Sequence, residues 1–154
     1  MNQQRRDALR ITTVLGLAVA AGLISPGEAL AAENWNTAAF DTKNLNDTVK
    51  ALGGRSAAIS KDLVISAPDI AENGAVVPVS VSTTLPGVQQ IAILVEKNPN
   101  ALSANFTIPA GTEAYVSTRV KMAQTSNVFA LAKVDGKWLV ASKEIKVTLG
   151  GCGG

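Results

Sequence analysis

The chain ends Gly150-Gly151-Cys152-Gly153-Gly154, one thiol bracketed by four glycines. Cys152 is the single cysteine of 154 residues, and there is no histidine. A lone cysteine cannot close an intramolecular disulfide or build a thiolate metal cage. Without histidine, Ser-His-Asp and Cys-His nucleophile systems and histidine metal sites are excluded. No metal and no cofactor is therefore expected, and no catalytic residue is assigned. What remains is sulfur chemistry at Cys152. The thiolate is the reactive form of cysteine, yet no histidine stands by to take its proton, and the terminal carboxylate of Gly154 opposes the extra negative charge. The thiol is expected to be activated by another protein. That pattern describes covalent attachment of a cargo, with the catalysis done elsewhere.

The glycines have a physical use. Glycine loses more conformational freedom on ordering than any other residue, so residues 150–154 are expected to form a flexible arm. Three residues separate Leu149 from Cys152, a reach of about 10 Å at full extension. With no β-carbon at Gly150, Gly151, Gly153 or Gly154, the thiol can enter a narrow channel. A second reading makes the chain an exported structural or interaction module whose Cys152 forms an intermolecular disulfide. A terminal Gly153-Gly154 is also similar to the ends of ubiquitin-like sulfur carriers. Those need ATP chemistry in the cytoplasm, which the start of this chain opposes.

That start carries Arg5, Arg6 and Arg10, then the uncharged stretch Ile11 to Ile24, then Ala29-Leu30-Ala31. A basic start, a short apolar middle and an A-x-A end mark an export signal. Fourteen apolar-stretch residues are fewer than the roughly 20 a spanning helix needs. Gln4-Arg5-Arg6-Asp7-Ala8-Leu9-Arg10 resembles the twin-arginine signal pattern at Arg5, Arg6 and Leu9 and departs from it at Gln4 and Ala8. Residues 1–31 are read as this signal, and the mature chain is expected in the periplasm with no membrane attachment. Beyond Ala31 the chain holds nearly equal numbers of basic and acidic residues, and six aromatics stand in the full sequence. A near-neutral chain with few stacking groups excludes nucleic acid as a partner.

The remaining residues must hold the arm. Leu45, Val49 and Leu52 follow helical spacing, with Asp41 or Thr42 as cap and Gly53 as stop, so residues 32–56 are read as an N-terminal segment with one short helix. From 57 to 149 the pattern is β. Val77, Val79 and Val81 alternate around Pro78, which predicts an edge strand because proline cannot donate to a ladder. Ile91, Ile93 and Val95 form another set. Ala114, Val116, Thr118, Val120 and Met122 alternate with Glu113, Tyr115, Ser117, Arg119 and Lys121. Asn73-Gly74, Pro86-Gly87 and Asp135-Gly136 read as turns. Trp138 and Phe129 are expected in the core, and Trp35 and Phe40 are expected to clasp the N-terminal segment onto it. About seven short strands predict a mainly β fold, an immunoglobulin-like β-sandwich with a short N-terminal helix and a C-terminal arm at 150–154.

The terminal Gly150-Gly151-Cys152-Gly153-Gly154, the β-domain before it and the signal together resemble the SoxY family. Its members are the sulfur-carrier subunits of the Sox thiosulfate-oxidising system. The resemblance covers the short helix, the stretch Val76 to Val95, the strand from Tyr115 to Met122 and the tail. It implies that Cys152 carries thiosulfate-derived sulfur and that the chain is not itself an enzyme. It also implies a heterodimer with SoxZ, and transient docking to haem-containing SoxAX, to the thiosulfohydrolase SoxB and to a sulfane dehydrogenase. Lys143 and Lys146, on the strand leading to the arm, are candidates to attract an anionic cargo.

Overall fold

The computed structural model describes residues 36–149. The chain divides into two units, Met1–Trp35 and Asn36–Gly154, and the described residues belong to the second. The expected signal, Trp35 and the arm residues lie outside them.

Two short helices come first, α1 (Thr37–Phe40) and α2 (Leu45–Ala51). One short helix capped by Asp41 or Thr42 was expected; the cap of α2 is instead Asn44, whose side chain accepts a hydrogen bond from the Asp47 N–H at 2.9 Å. Asparagine is among the best N-caps, and its extended backbone (φ −151°, ψ 165°) leaves the preceding residues outside the helix. Gly53 ends α2 at φ +82°, where a side chain would be strained. The two helices are tied together. Asn36 caps α1, and its Nδ2 donates to the Ala51 carbonyl at 2.7 Å. Thr48 is fully buried and satisfied by Thr42 Oγ1 and the Asn44 carbonyl.

Nine strands follow: β1 (Ala57–Ile59), β2 (Leu63–Ser66), β3 (Ile70–Asn73), β4 (Val77–Thr83), β5 (Val88–Val95), β6 (Leu102–Thr107), β7 (Tyr115–Val120), β8 (Ser126–Val134) and β9 (Lys137–Leu149). They form an immunoglobulin-like β-sandwich. The larger sheet has the order β1-β9-β8-β5-β6, with β3 also on β9; the smaller has the order β2-β4-β7. β8 and β9 are joined by Asp135-Gly136, with φ +48° and +77°. Positive φ at both central residues is the type I′ geometry that matches strand twist. Gly87 at φ +74° gives Pro86-Gly87 the left-handed second residue that a type II turn requires.

Burial shows why the strands look as they do. Ile91, Ile93, Val95, Val128, Ala130 and Ile145 meet Val77, Val79, Val81 and Val116 between the two sheets. Ala92, Leu94, Leu131, Trp138 and Val140 form a second cluster with Ala39, Val49 and Leu52, on the side of the larger sheet covered by the helices. The molecule therefore has three layers: small sheet, large sheet, helical segment. β5 is buried on both faces from Ile91 to Val95, so it reads as a continuous apolar run. β7 is covered on one face, and its alternation is clean: Ala114, Val116, Val120 and Met122 are buried, Glu113, Tyr115, Ser117, Arg119 and Lys121 exposed.

Two expectations are corrected here. β4 is the centre of the small sheet and not an edge. Pro78 is tolerated because β2 pairs only with Ser80–Thr83, so that flank of Pro78 has no ladder to break. Phe129 is half-buried, packed on the margin of the helix-side cluster; its side chain points away from the inter-sheet core that holds Val128 and Ala130. Trp138 is buried as expected, and Phe40 packs on the same cluster from the N-terminal segment.

Gly54 sits directly on Trp138. A β-carbon there would collide with the indole Cδ1 and stand 2.7 Å from both Trp138 Nε1 and Val49 Cγ1. Gly54→Ala should cost about 1–3 kcal/mol through overpacking, read as a lowered midpoint in urea denaturation; Gly53→Ala should lose stability through φ strain alone, with no steric component.

Candidate functional site at the end of the last strand

The last described residue, Leu149, is where residues 150–154 join the sandwich. Cys152 and Gly150, Gly151, Gly153 and Gly154 lie outside the described residues, so the site is built here from its root. β9 keeps a strand partner to its end, β8 as far as Ile145 and β3 from Lys146 to Leu149. β8 lies antiparallel to it from Lys137 to Ile145, and β3 lies parallel to it, with Asn73 opposite Leu149.

The Leu149 carbonyl accepts from the Gly74 N–H at 2.7 Å, and the Gly74 carbonyl accepts from the Met122 N–H at 2.7 Å. Gly74 is buried and thus bridges the end of β9 to the β7–β8 loop. The Val147 N–H donates to Thr125 Oγ1 at 2.9 Å, and Thr148 Oγ1 donates to the Glu72 carbonyl at 3.0 Å. The β5–β6 loop is fixed to the same frame through Asn98. Its Nδ2 donates to the Lys121 carbonyl at 2.7 Å, and its Oδ1 accepts from the Ala123 N–H at 3.1 Å. Ser126 Oγ, in a buried residue, accepts from the Lys97 N–H at 3.0 Å. The arm is therefore rooted in a tightly bonded end of the sandwich. The apolar side chains of Leu149 and Val76 stand exposed beside it.

The two lysines considered as cargo cations differ. Lys143 Nζ is 3.0 Å from Asp69 Oδ1 and also donates to the Ala67 carbonyl. It holds the β2–β3 connection against β9, and it is not a free charge. Lys146 is exposed on the outer face, opposite Ile70. Two cavities of the sandwich lie at the opposite end. One, of about 690 Å³, is lined by the β4–β5 and β6–β7 loops, including Thr83, Pro86 and Pro109. The other, of about 430 Å³, is lined by residues of the α2–β1 connection and the β8–β9 turn. From Trp138 to Leu149 along β9 is about 35 Å at 3.3 Å per residue. An arm reaching about 10 Å cannot enter either. The phenol of Tyr115, held below its usual pKa by hydrogen bonding to Ser80 and then Ser117, stands on the outer face of the small sheet.

The architecture defines a class: a β-sandwich that anchors a terminal thiol and keeps both of these cavities beyond its reach. Comparison with known proteins names the family. The model of the sulfur oxidation protein SoxY matches residues 49–152, up to the terminal cysteine. The structure of the sulfur carrier protein SoxY from Chlorobium limicola f thiosulfatophilum is similar at 38% identity and a TM-score of 0.59, covering 67% of this chain and 96% of that one. The chain belongs to the SoxY family. A superoxide reductase (neelaredoxin) from Ignicoccus hospitalis shares the fold at 22% identity and a TM-score of 0.50, over 55% of this chain and 79% of that one. No curated protein matches the chain at a significant level.

The bonds at the root are testable. Asn98→Ala removes two hydrogen bonds between loops and should lower stability by about 1–2 kcal/mol in thermal denaturation. Lys146→Gln, at an exposed side chain, should shift it by less than about 0.5 kcal/mol.

Proposed function

We propose that the protein is a periplasmic sulfur carrier, and not a catalyst, that holds thiosulfate-derived sulfur on Cys152. The observation that carries this reading is the family match, which runs to Cys152. The related Chlorobium protein is a sulfur carrier. The glycine-bracketed thiol and the absence of histidine support the same reading.

In this reading Cys152 is first joined to thiosulfate. The thiol loses its proton, its sulfur bonds the sulfane sulfur, and two electrons pass to a haem enzyme of the SoxAX type. The product is a cysteine S-thiosulfonate. Hydrolysis by a SoxB-type thiosulfohydrolase then releases sulfate and leaves a persulfide on Cys152. A sulfane dehydrogenase takes six electrons from the remaining sulfur, which gains three oxygens from water, and a second hydrolysis releases sulfate and restores the thiol. The carrier works as a heterodimer with SoxZ, exported folded by the signal in residues 1–31. Each linkage to Cys152 is a sulfur–sulfur bond, reversible by exchange. A persulfide is open to further oxidation, and the two cavities described above lie too far from Leu149 to shelter it. Protection falls to the partners, whose channels the glycines allow Cys152 to enter.

Mass spectrometry of protein incubated with thiosulfate and the cognate haem enzyme should find the adduct on the C-terminal peptide. Cys152→Ser should abolish it while leaving the thermal transition unchanged. An adduct on another residue, or a function-competent disulfide dimer as the main periplasmic form, would favour the linkage role instead. Replacing Gly151 and Gly153 together by Ala should leave folding intact and slow turnover by every partner; unchanged rates would remove the steric argument for the arm's composition.

A further inference from the structure

The smaller distal cavity carries a chemistry that sulfur carriage does not use. It holds about 430 Å³ and is lined by Gly53, Gly54, Arg55, Gly136, Lys137 and Trp138, with Ser56 and Ala58 at its edge. Arg55 and Lys137 are both exposed. Neither has an ion-pair or hydrogen-bond partner among the described residues. A third cation, Lys133, lies with its Nζ 5.9 Å from the centre of the Trp138 ring. No carboxylate lines the cavity. The nearest acid in sequence, Asp135, directs its carboxylate toward Gly87 and the other cavity. Trp138, which closes the floor, is 2% exposed, and its Nε1 is buried without a hydrogen-bond partner.

Two cations on the lining of a concave site that has no carboxylate, with Lys133 near the ring of its Trp138, favour an anion. The guanidinium of Arg55 presents paired donors that match the two oxygens of a carboxylate or oxyanion, and Lys137 supplies a point charge. Two consecutive glycines and Gly136 leave the walls free of side chains, so a small hydrated dianion fits. We infer that this cavity is a binding site for a small oxyanion, separate from the arm and independent of the carrier reading. At about 35 Å from the root of the arm, it cannot act on cargo held by Cys152 of the same molecule. Its occupancy would be set by the anions of the surrounding medium.

The test uses the mature chain and inorganic sulfate, a dianion at any working pH, with sodium chloride at matched ionic strength as reference. In amide nitrogen–proton spectra, the signals of Gly53, Gly54, Gly136 and the Trp138 indole N–H should move along a saturable curve with sulfate and not with chloride. The paired substitution Arg55→Gln with Lys137→Gln should raise the sulfate concentration at half-saturation about tenfold or more. Lys97→Gln, at the opposite end of the sandwich, should leave it unchanged. A linear drift, an equal response to chloride, or an unaltered curve in the paired variant would overturn the proposal. Because both replaced side chains are exposed, the fold survives in each variant and the native spectrum serves as the check.

Discussion

The structure depends on the pairing of β9. This strand of 13 residues has neighbours on both of its long sides: β8 on one, and β1 and then β3 on the other. Here the strand is still hydrogen-bonded at the Leu149 carbonyl, which takes the Gly74 N–H. The hydrogen-bonded frame therefore includes Leu149. A thiol three residues further on is tethered to a fixed point, and its range is set by covalent geometry and not by the looseness of the domain.

The same sheet is covered twice. One face meets the small sheet and the other meets the helical segment, with Trp138 on Gly54 at the junction. Covering both faces consumes the apolar surface of β5 and β8 and fills the space between the layers with side chains. The two concave sites described above lie among loops at the end far from Leu149. The two ends of the domain therefore differ in construction. One end is knitted by backbone and asparagine hydrogen bonds around the root of the arm. The other end holds the two concave sites, the smaller of them lined by glycines, Arg55 and Lys137.

Legibility in the sequence followed burial. β7 was readable because one of its faces is wet and the other dry. β6 carries Leu102, Ala104 and Phe106 at alternate positions, a signal that the surrounding Asn and Ser residues masked. β3 buries one residue, Ala71, and β1 is three residues long; both exist because β9 offers them a parallel edge some 75 to 80 residues away, which no local pattern records. Pro78 pointed to an edge, and its strand is central, because the edge is local to that residue. Gly54, next to the helix stop Gly53, gave no signal of its own, because the indole that packs on it comes from Trp138, far along the chain. The sulfur chemistry proposed for Cys152 has a different basis. It rests on residue type and position along the chain, and the family match that reaches it supports the reading, while its surroundings lie outside the described residues.

The parallel partnership of β1 and β3 with β9 has a bearing on biogenesis. Among the described residues neither early strand has another strand to pair with, so the larger sheet cannot close during synthesis until residues 137–149 have left the ribosome. Contacts of such sequence separation make folding slow. The early strands therefore wait for the last described one before the larger sheet can close.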